Sequence, residues 1–326
     1  MNKLEKLQGK TIVITGASSG AGRAAALEFA KYHTNLVLAA RNVAALEEVK
    51  SECEAIGAQA LIVPTDTSDS KAMIALANAA NDWHGKIDVW VNNAGVLAAG
   101  DFDKTPMAVH EQVIKTNLLG YMNGAHAVLP ILKAQGYGTI INNISIGGFL
   151  PVPYGAGYTA AKFGLRGWSE ALKGELSEWP YIYVCDLFPA FLDTPGIQHA
   201  GNHTGKVLKP APPVYDPFRL AKTMVKVAAD PSANTYVGSA SLLLKIGHAF
   251  LPEFMTKMTG LVMRRYLKSA DPIALSDGNV FTTLDYGMST HGGFGLPGKP
   301  KAHRKYIAGV LVAGMALGFY LVSKKK

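Results

Sequence analysis

Short, almost continuously apolar runs alternate with longer segments of helical periodicity along the first two-thirds of the chain. Such runs are typical of parallel strands that are covered on both faces. Helical patterns lie between them, for example over residues 22–32 and 43–56. Repeated strand–helix–strand units predict an α/β fold with a doubly wound parallel sheet and right-handed crossovers. The predicted strands are residues 11–15, 36–40, 60–64, 87–91, 139–143 and 182–187.

The pattern changes after residue 240. Residues 241–268 are apolar and basic, and residues 287–306 carry the glycines, prolines and lysines of a linker. The chain then runs without a charge over residues 307–322 before three lysines. We therefore predict a doubly wound domain over residues 1–240, a helical extension over 241–286, a linker over 287–306 and a transmembrane helix over 307–322.

The uncharged run at residues 307–322 would rise about 24 Å as a helix, somewhat less than the ~30 Å of a bilayer core. Flanking lysines reach the interface by snorkelling, and the Gly314–Gly318 pair forms a GxxxG motif that lets two helices approach closely. A buried core helix and an interfacial helix are the alternatives. Residues 241–268 fit a membrane-surface helix pair, a substrate lid, an oligomer contact or additional packing against the main domain.

The net charge of +8 is not spread evenly along the chain. No acid follows residue 285, so the basic excess belongs to the tail and the preceding domain is nearly neutral. This argues against a nucleic-acid partner, which requires a basic face on the folded domain. The two cysteines, Cys53 and Cys185, have no metal-ligand spacing and favour a reducing compartment, with no metal site. No secretory signal is visible at the N-terminus.

A glycine-rich turn, Thr15–Gly22, directly follows the first predicted strand and opens a helix. Glycines at such a turn let the backbone approach a pyrophosphate, which then lies on the positive end of the helix. The second strand ends at Arg41, where a carboxylate would accept hydrogen bonds from a free ribose 2′-hydroxyl. An arginine there offers a bidentate fork to a 2′-phosphate, so the sequence favours NADP(H) over NAD(H). The alternative is a solvated loop arginine.

A tyrosine and a lysine, Tyr158 and Lys162, are four residues apart and therefore share one helix face. A nearby ammonium favours the phenolate and lowers the pKa of the tyrosine, as proton transfer near neutral pH requires. Ser145 lies at the end of the fifth strand, the sheet edge where open α/β folds bind ligands. Asn117 follows a helical pattern.

In this combination and order the sequence resembles the short-chain dehydrogenase/reductase family over roughly residues 9–240. The resemblance implies a Rossmann-like fold in which Tyr158 is the general acid and base, Ser145 stabilises the substrate oxygen, and Lys162 binds the nicotinamide ribose and lowers the pKa of Tyr158. Asn117 would position a water that connects Lys162 to solvent. The cofactor-binding residues it implies are Gly16, Ser18, Ser19, Gly20, Ala21, Gly22, Arg41, Asp66, Asn93, Ala94, Gly95, Tyr158, Lys162, Pro189 and Thr194.

Each of these residues also has an ordinary structural interpretation. Ser145 fits a strand-end cap, Asn117 a turn and Asp66 a helix cap. The sequence departs from the family pattern at Ala190, where a glycine usually follows the proline, and at Ala21, where a larger aliphatic residue is usual. These departures affect local backbone shape and packing only.

Aromatic residues in the loops after the fifth and sixth strands, Phe149, Tyr154 and Phe191, suggest an apolar substrate pocket. Core or lid packing is the competing interpretation. We therefore expect an NADP(H)-dependent oxidoreductase acting on a lipophilic alcohol, aldehyde or ketone, anchored by its C-terminus with the catalytic domain in the cytoplasm, and homo-oligomeric. Two alternatives are a cofactor-binding sensor or scaffold without chemistry, and an epimerase or dehydratase on the same fold.

Overall fold

The computed structural model of the chain describes residues 3–294. Within that range, no helix is both long enough and apolar enough to cross a membrane. The predicted transmembrane helix at residues 307–322 lies outside the described residues, and so does most of the predicted linker.

Seven parallel strands form the central sheet, in the order β3-β2-β1-β4-β6-β7-β9. This is the predicted Rossmann-like, doubly wound arrangement. A further pair of two-residue parallel strands, β5 and β8, lies apart from it. The strands are β1 (Thr11–Thr15), β2 (Asn35–Ala40), β3 (Gln59–Pro64), β4 (Val89–Asn92), β5 (Ala98–Ala99), β6 (Gly138–Asn143), β7 (Ile182–Pro189), β8 (Gly201–Asn202) and β9 (Asn234–Val237).

Helices connect the strands and cover both faces of the sheet. Several begin at a capping side chain: Asn42 accepts from the amide of Ala45 at 3.0 Å, and Asp69 caps the next helix. The helices are α1 (Gly20–Ala30), α2 (Val43–Ile56), α3 (Ser70–His84), α4 (Met107–Ile114), α5 (Gly120–Gln135), α6 (Ala156–Glu175), α7 (Pro217–Ala229), α8 (Ser239–Phe250) and α9 (Pro252–Ser269).

The core has two halves, one on each face of the sheet. One half joins α1 and α7 through side chains such as Phe29 and Met224, and the other joins α3 and α5 through Met73, Trp90 and Val128. Every residue of β1 is buried, as the continuous apolar pattern predicts for a central strand. Burial of these side chains on both faces of the sheet fixes the carboxyl ends of the strands relative to one another.

The order of the strands reverses direction at β1 and β4, which are hydrogen-bonded neighbours. The connection from β1 leads to one side of the sheet and the connection from β4 to the other. Ligands of open α/β sheets bind in the crevice that forms at such a switch point, outside the carboxyl ends of the strands. The fold therefore places a crevice beside the glycine turn after β1.

The C-terminal part of the described chain consists of the helices α8 and α9 and an irregular segment that follows them. Helix α9 has a single buried residue, Gly260, so little of its surface packs against the domain. The chain then returns: Ser276 forms an isolated bridge with Asn202 of β8, and Pro272 forms one with Lys206 after it. Residues 287–294, predicted as the start of a linker, are hydrogen-bonded to the carboxyl edge of the sheet, because Gly292 and Phe294 donate to Asp193.

Candidate active site

Helix α6 carries Tyr158 and Lys162 one turn apart, with Lys162 only 5% exposed. The Lys162 ammonium donates to the backbone carbonyl oxygen of Asn143 at 3.2 Å. Its Nζ also lies 4.8 Å from the ring centroid of Tyr121 and 5.8 Å from that of Tyr158. The structure thus brings the predicted tyrosine and lysine together at the end of β6, where Asn143 terminates the strand.

Ser145 adopts a backbone conformation that is rare for a residue with a side chain, with φ 109° and ψ 156°. This region is populated almost only by glycine, and such strain costs of order 1–3 kcal/mol. The Ser145 hydroxyl accepts a hydrogen bond from the amide of Gly147 at 3.1 Å. Strained residues cluster at functional sites, and here the strain fixes the hydroxyl beside Tyr158.

Gly147 makes this close approach possible. A Cβ built on Gly147 would lie 2.9 Å from Cε1 of Tyr158 and 3.5 Å from the Ser145 Oγ. A side chain at this position would push the tyrosine ring away from the serine. Sequence reasoning missed Gly147, although the Gly147–Gly148 pair close after Ser145 was an available signal.

Burial dominates the protonation of both groups. It raises the pKa of the Tyr158 phenol, with a hydrogen bond to Ser145 acting in the opposite direction. It lowers the pKa of Lys162 to about 7, because the desolvated ammonium has no carboxylate partner among the described residues. The sequence-based expectation was a Tyr158 pKa lowered by Lys162; the structure gives the opposite direction, since desolvation penalises the charged form of each group.

Asn117 lies in a single π-helical turn, Lys115–Leu119, between α4 and α5. Its side chain is fully buried and makes two hydrogen bonds to the backbone of Val96: it accepts from the Val96 amide at 2.8 Å and donates to the Val96 carbonyl at 2.7 Å. The side chain therefore holds the chain that leaves β4. π-Helical turns are frequent at functional sites, and the predicted water-positioning role of Asn117 stays a prediction.

The glycine turn after β1 fits a phosphate group. A Cβ on Gly22 would lie 2.0 Å from the carbonyl oxygen of Gly16, and one on Gly16 would lie 2.7 Å from Cα of Ala94. Gly16 and Gly20 have φ values of 67° and 53°, which favour glycine. Bare backbone is thus required here, at the positive end of α1. Ser19 is the N-cap of α1, but its side chain makes no capping hydrogen bond, and Ser18 and Ala21 lie in the same turn.

A chain of hydrogen bonds links the glycine turn to Lys162. The amide of Asn93 donates to the carbonyls of Thr15 and Gly16, at 3.0 and 3.4 Å, and its oxygen accepts from the amide of Asn143 at 2.9 Å. The side-chain oxygen of Asn143 is buried without a partner among the described residues. A buried acceptor on the same residue whose backbone carbonyl binds the ammonium suits a hydroxyl-bearing ligand, such as a ribose.

Sequence reasoning missed Asn143, because its link to Lys162 runs through a backbone carbonyl that any residue could supply. Its own position in the Asn-Asn pair at the end of a strand was the available signal. Gly95 packs against the Asn117 side chain: a Cβ built on Gly95 would lie 3.2 Å from the side-chain oxygen of Asn117.

Arg41 and Asp66, the residues predicted to contact the adenosine end of the cofactor, already have hydrogen-bond partners within the chain. Both terminal nitrogens of Arg41 donate to backbone carbonyls, to Phe281 at 3.1 Å and to Asn279 at 2.7 Å. Asp66 accepts from the amide and hydroxyl of Ser68 at 2.9 and 2.7 Å, so one carboxylate oxygen closes its own turn. The remaining predicted contacts lie near the crevice: Thr194 faces Gly20, whose added Cβ would meet it at 3.2 Å, and Pro189 ends β7.

The three aromatic residues predicted for a substrate pocket have separate environments. Phe149 packs on Phe188 with ring centroids 4.8 Å apart, and its ring also lies 4.4 Å from the Arg166 guanidinium carbon. Tyr154 has a positive φ of 64° and accepts from the amide of Gly100 through its carbonyl. The Phe191 carbonyl accepts from the amide of Tyr215. Packing thus describes Phe149 better than a pocket wall does.

No group of three histidine, cysteine or acidic side chains suited to a metal ion occurs within residues 3–294. Both cysteines are buried free thiols, and burial raises the pKa of each to about 12.

Comparison with known proteins agrees with this geometry. Residues 10–204 match the family model described as short chain dehydrogenase. The chain is 31% identical to the uncharacterized oxidoreductase YxnA of Bacillus subtilis, over 80% of this chain and 74% of that protein. It is also 31% identical to estradiol 17-beta-dehydrogenase 11 of Mus musculus, over 77% of this chain and 83% of that protein.

Solved structures show the same likeness. A short chain dehydrogenase/reductase from Burkholderia phymatum, in complex with NAD, superposes with a TM-score of 0.68 at 26% identity, over 82% of this chain and 99% of that one. A metagenomic short-chain oxidoreductase in complex with NADP has a TM-score of 0.61 at 31% identity, over 71% of this chain and 97% of that one. The chain belongs to the short-chain dehydrogenase/reductase family of oxidoreductases.

Proposed function

We propose that the protein is an NADP(H)-dependent oxidoreductase that interconverts an alcohol and a carbonyl compound. The observation that carries the proposal is the grouping of Tyr158, Ser145 and Lys162 at the end of β6, next to a glycine turn that requires bare backbone. Bound dinucleotides in the two solved relatives support a nicotinamide cofactor. Arg41 at the end of β2, without a carboxylate beside it in sequence, favours NADP(H).

When bound, the nicotinamide ring would donate or accept the hydride at the reacting carbon. The chain's own residues would handle the oxygen. In the direction of reduction, the Tyr158 hydroxyl gives its proton to the carbonyl oxygen as negative charge develops there, and Ser145 hydrogen-bonds the same oxygen. The raised pKa of Tyr158 keeps the phenol protonated before this step.

Lys162 would bind the ribose hydroxyls, and the partnerless Asn143 oxygen would accept from one of them. Hydroxyl ligands would replace the water that Lys162 lost on burial and thus favour its charged form. A charged Lys162 close to the phenol would stabilise the tyrosinate left after proton transfer. The glycine turn and the start of α1 would hold the pyrophosphate.

Tyr158→Phe tests the assignment, since it removes only the hydroxyl. We expect turnover to fall by roughly 10²–10⁴-fold, the usual contribution of a general acid, while NADPH binding, measured by quenching of protein fluorescence, stays unchanged. Tyr181→Phe is the matched control, because Tyr181 is exposed at the amino end of β7, away from the carboxyl edge of the sheet, and loses the same atom. Full turnover in the Tyr158 variant would contradict the assignment of Tyr158 as the general acid, whereas absence of turnover in the unmodified protein as well would favour a binding or scaffold protein.

The substrate class is proposed from the aromatic residues of the loops that follow β6 and β7, as a lipophilic alcohol, aldehyde or ketone. NADPH consumption over aldehydes, ketones and quinones of graded chain length tests it, and a flat response to chain length would contradict it. Net consumption of NADPH in proportion to product also distinguishes oxidoreduction from epimerisation or dehydration. The same screen with NADH measures the cofactor preference assigned to Arg41.

Residues 307–322 are proposed as a membrane anchor that keeps the catalytic domain on the cytoplasmic side, and the protein as a homo-oligomer. The support is the uncharged run closed by three lysines. Deleting residues 307–326 is expected to move the protein into the soluble fraction; equal fractionation of both forms would contradict the anchor. Light scattering of the released form measures its oligomeric state.

A further inference from the structure

Residues 279–294, which we call the strap, cross the carboxyl edge of the sheet over the proposed cofactor site. The carbonyl oxygen of Ser289 accepts a hydrogen bond from the amide of Gly20 at 2.9 Å. That amide is the first N–H of α1, at the end of the helix where the glycine turn would hold a pyrophosphate. A neutral carbonyl oxygen thus lies where a phosphate oxygen is expected.

The strap also accepts hydrogen bonds from Arg41 and Arg23. Arg41 donates from both terminal nitrogens to the carbonyls of Phe281 and Asn279, at 3.1 and 2.7 Å. Arg23 donates to the carbonyl of Met288. The fork that favours a 2′-phosphate is therefore already occupied by the strap.

Both ends of the strap are attached to the domain. The backbone amide of Asn279 donates to the carbonyl of His199 at 2.8 Å. At the other end, the backbone amide of Phe294 donates to the Asp193 carboxylate at 2.7 Å. Between them, the carbonyl of Tyr286 lies 3.0 Å from Nε2 of His199. Side chains of the domain also donate to strap carbonyls, among them Asn42 to Leu284 at 3.2 Å and Gln198 to Gly292 at 2.6 Å, and Val280 is fully buried. The strap contains no helix or strand, so the part beyond Val280 is able to detach from the domain.

The strap's acceptors are weaker than those of a dinucleotide. They are uncharged carbonyls, whereas hydrogen bonds from N–H donors to phosphate are charge-assisted and roughly twice as strong. The side-chain oxygen of Asn279, whose backbone carbonyl binds Arg41, is buried without a partner among the described residues, so holding Asn279 in this position carries a desolvation cost. Phosphate oxygens are thus able to displace these carbonyls.

We propose that the strap occupies the phosphate-binding donors of the cofactor site and is displaced by the dinucleotide, with the Arg41 contact released only by a 2′-phosphate. The strap then contributes to cofactor choice: NAD(H) displaces Ser289 from Gly20 and leaves Arg41 bound to residues 279 and 281, whereas NADP(H) releases both contacts. This inference rests on the proposed function, since it takes the crevice as a nicotinamide dinucleotide site.

Hydrogen–deuterium exchange of the full chain tests the proposal, with isothermal titration of NADP⁺ and NAD⁺ to show that each binds. We expect saturating NADP⁺ to increase amide exchange throughout residues 279–294. Saturating NAD⁺ should increase it around Ser289 and leave residues 279–281 unchanged. Binding of NADP⁺ with unchanged or slower exchange in the strap would overturn the proposal and leave the proposed function standing.

A pair of glycine variants tests it independently. An alanine Cβ at Gly287 would lie 2.5 Å from Nε2 of the buried His199, so Gly287→Ala should loosen the strap. Gly293→Ala is the control, because both glycines have positive φ, 69° and 79°, but a Cβ at Gly293 meets nothing within 4 Å. We expect the Kd for NADP⁺ to fall about fivefold in the Gly287 variant relative to the control, roughly the effect of one hydrogen bond.

An unchanged or higher Kd in the Gly287 variant would overturn the proposal, because the strap would then support the bound cofactor rather than compete with it. Absence of NADP⁺ and NAD⁺ binding in the unmodified protein and in both variants would overturn the proposed function as well. Binding only by the Gly287 variant would support the strap as the obstacle.

Discussion

The buried ammonium of Lys162 makes the stability of the protein depend on pH in a way that can be predicted. Burial lowers the pKa of Lys162 from 10.5 to about 7, whereas in the unfolded chain the lysine regains its ordinary value. Between these two values the unfolded state binds more protons than the folded state. Stability from this residue therefore rises as pH increases from about 7 towards 10, and it is lowest below pH 7, where the buried group is charged.

The size of the effect follows from the same two pKa values. At ~1.36 kcal/mol for each pH unit, the full interval corresponds to roughly 4–5 kcal/mol. The contacts to the Asn143 carbonyl and the Tyr121 ring retain some stabilisation of the charged form. We expect a measured change of about 2–4 kcal/mol between pH 6.5 and 9.5, after allowing for water that relaxes the burial penalty.

The perturbation is Lys162→Met, which keeps most of the apolar side chain and removes the titrating group. Urea unfolding of both proteins at several pH values gives the free energy of unfolding, and the wild-type value should rise with pH relative to the variant. Lys71→Met, on the exposed surface of α3, is the control and should follow the wild type. Parallel profiles for wild type and the Lys162 variant would refute the reasoning, since the ammonium would then be solvated.

Two further predictions concern backbone around the site. The free energy of unfolding of Ser145→Gly, measured by urea titration, should exceed that of Ser145→Ala by about 1–2 kcal/mol, because only glycine relieves the φ of 109°. Turnover should be lost in both variants, and equal free energies of unfolding would show that the strain is absent. Asn117→Ala leaves both backbone groups of Val96 without partners and should destabilise the fold by about 2–4 kcal/mol. Asn123→Ala, which loses a single hydrogen bond at 3.0 Å to the Thr67 carbonyl, should cost about half as much in the same urea titration; equal losses would contradict the account of Asn117.

The central sheet was largely predictable because its strands are buried on both faces. Continuous apolar runs identified β1, β2, β3, β4, β6 and β7 to within two residues at each end, and β1 was predicted with its observed bounds. Strand β9 was missed. Its sequence, Asn234–Val237, is short and only Val237 is fully buried, as befits an edge strand. Hydrophobic pattern alone cannot distinguish such a strand from a loop.

The candidate site was predictable where it depends on side-chain identity. The spacing of Tyr158 and Lys162 places them on one helix face, and the structure brings them to the end of β6 beside Ser145. Contacts that use the backbone were not predictable. Asn143 binds Lys162 through its carbonyl, and the strap binds Arg41 through two carbonyls, so nothing in the residue types marks these contacts.

The direction of the two pKa shifts shows why a motif does not by itself fix the state of its groups. From sequence, an ammonium beside a phenol is expected to acidify the phenol. In the structure, burial favours the neutral form of each group, raising the pKa of Tyr158 and lowering that of Lys162 to about 7. On the proposed function, hydroxyl ligands at Lys162 and at the partnerless Asn143 oxygen reverse the second shift. The acidity of Tyr158 is then a property of the loaded site, because the charge that acidifies it depends on the ligand that solvates it.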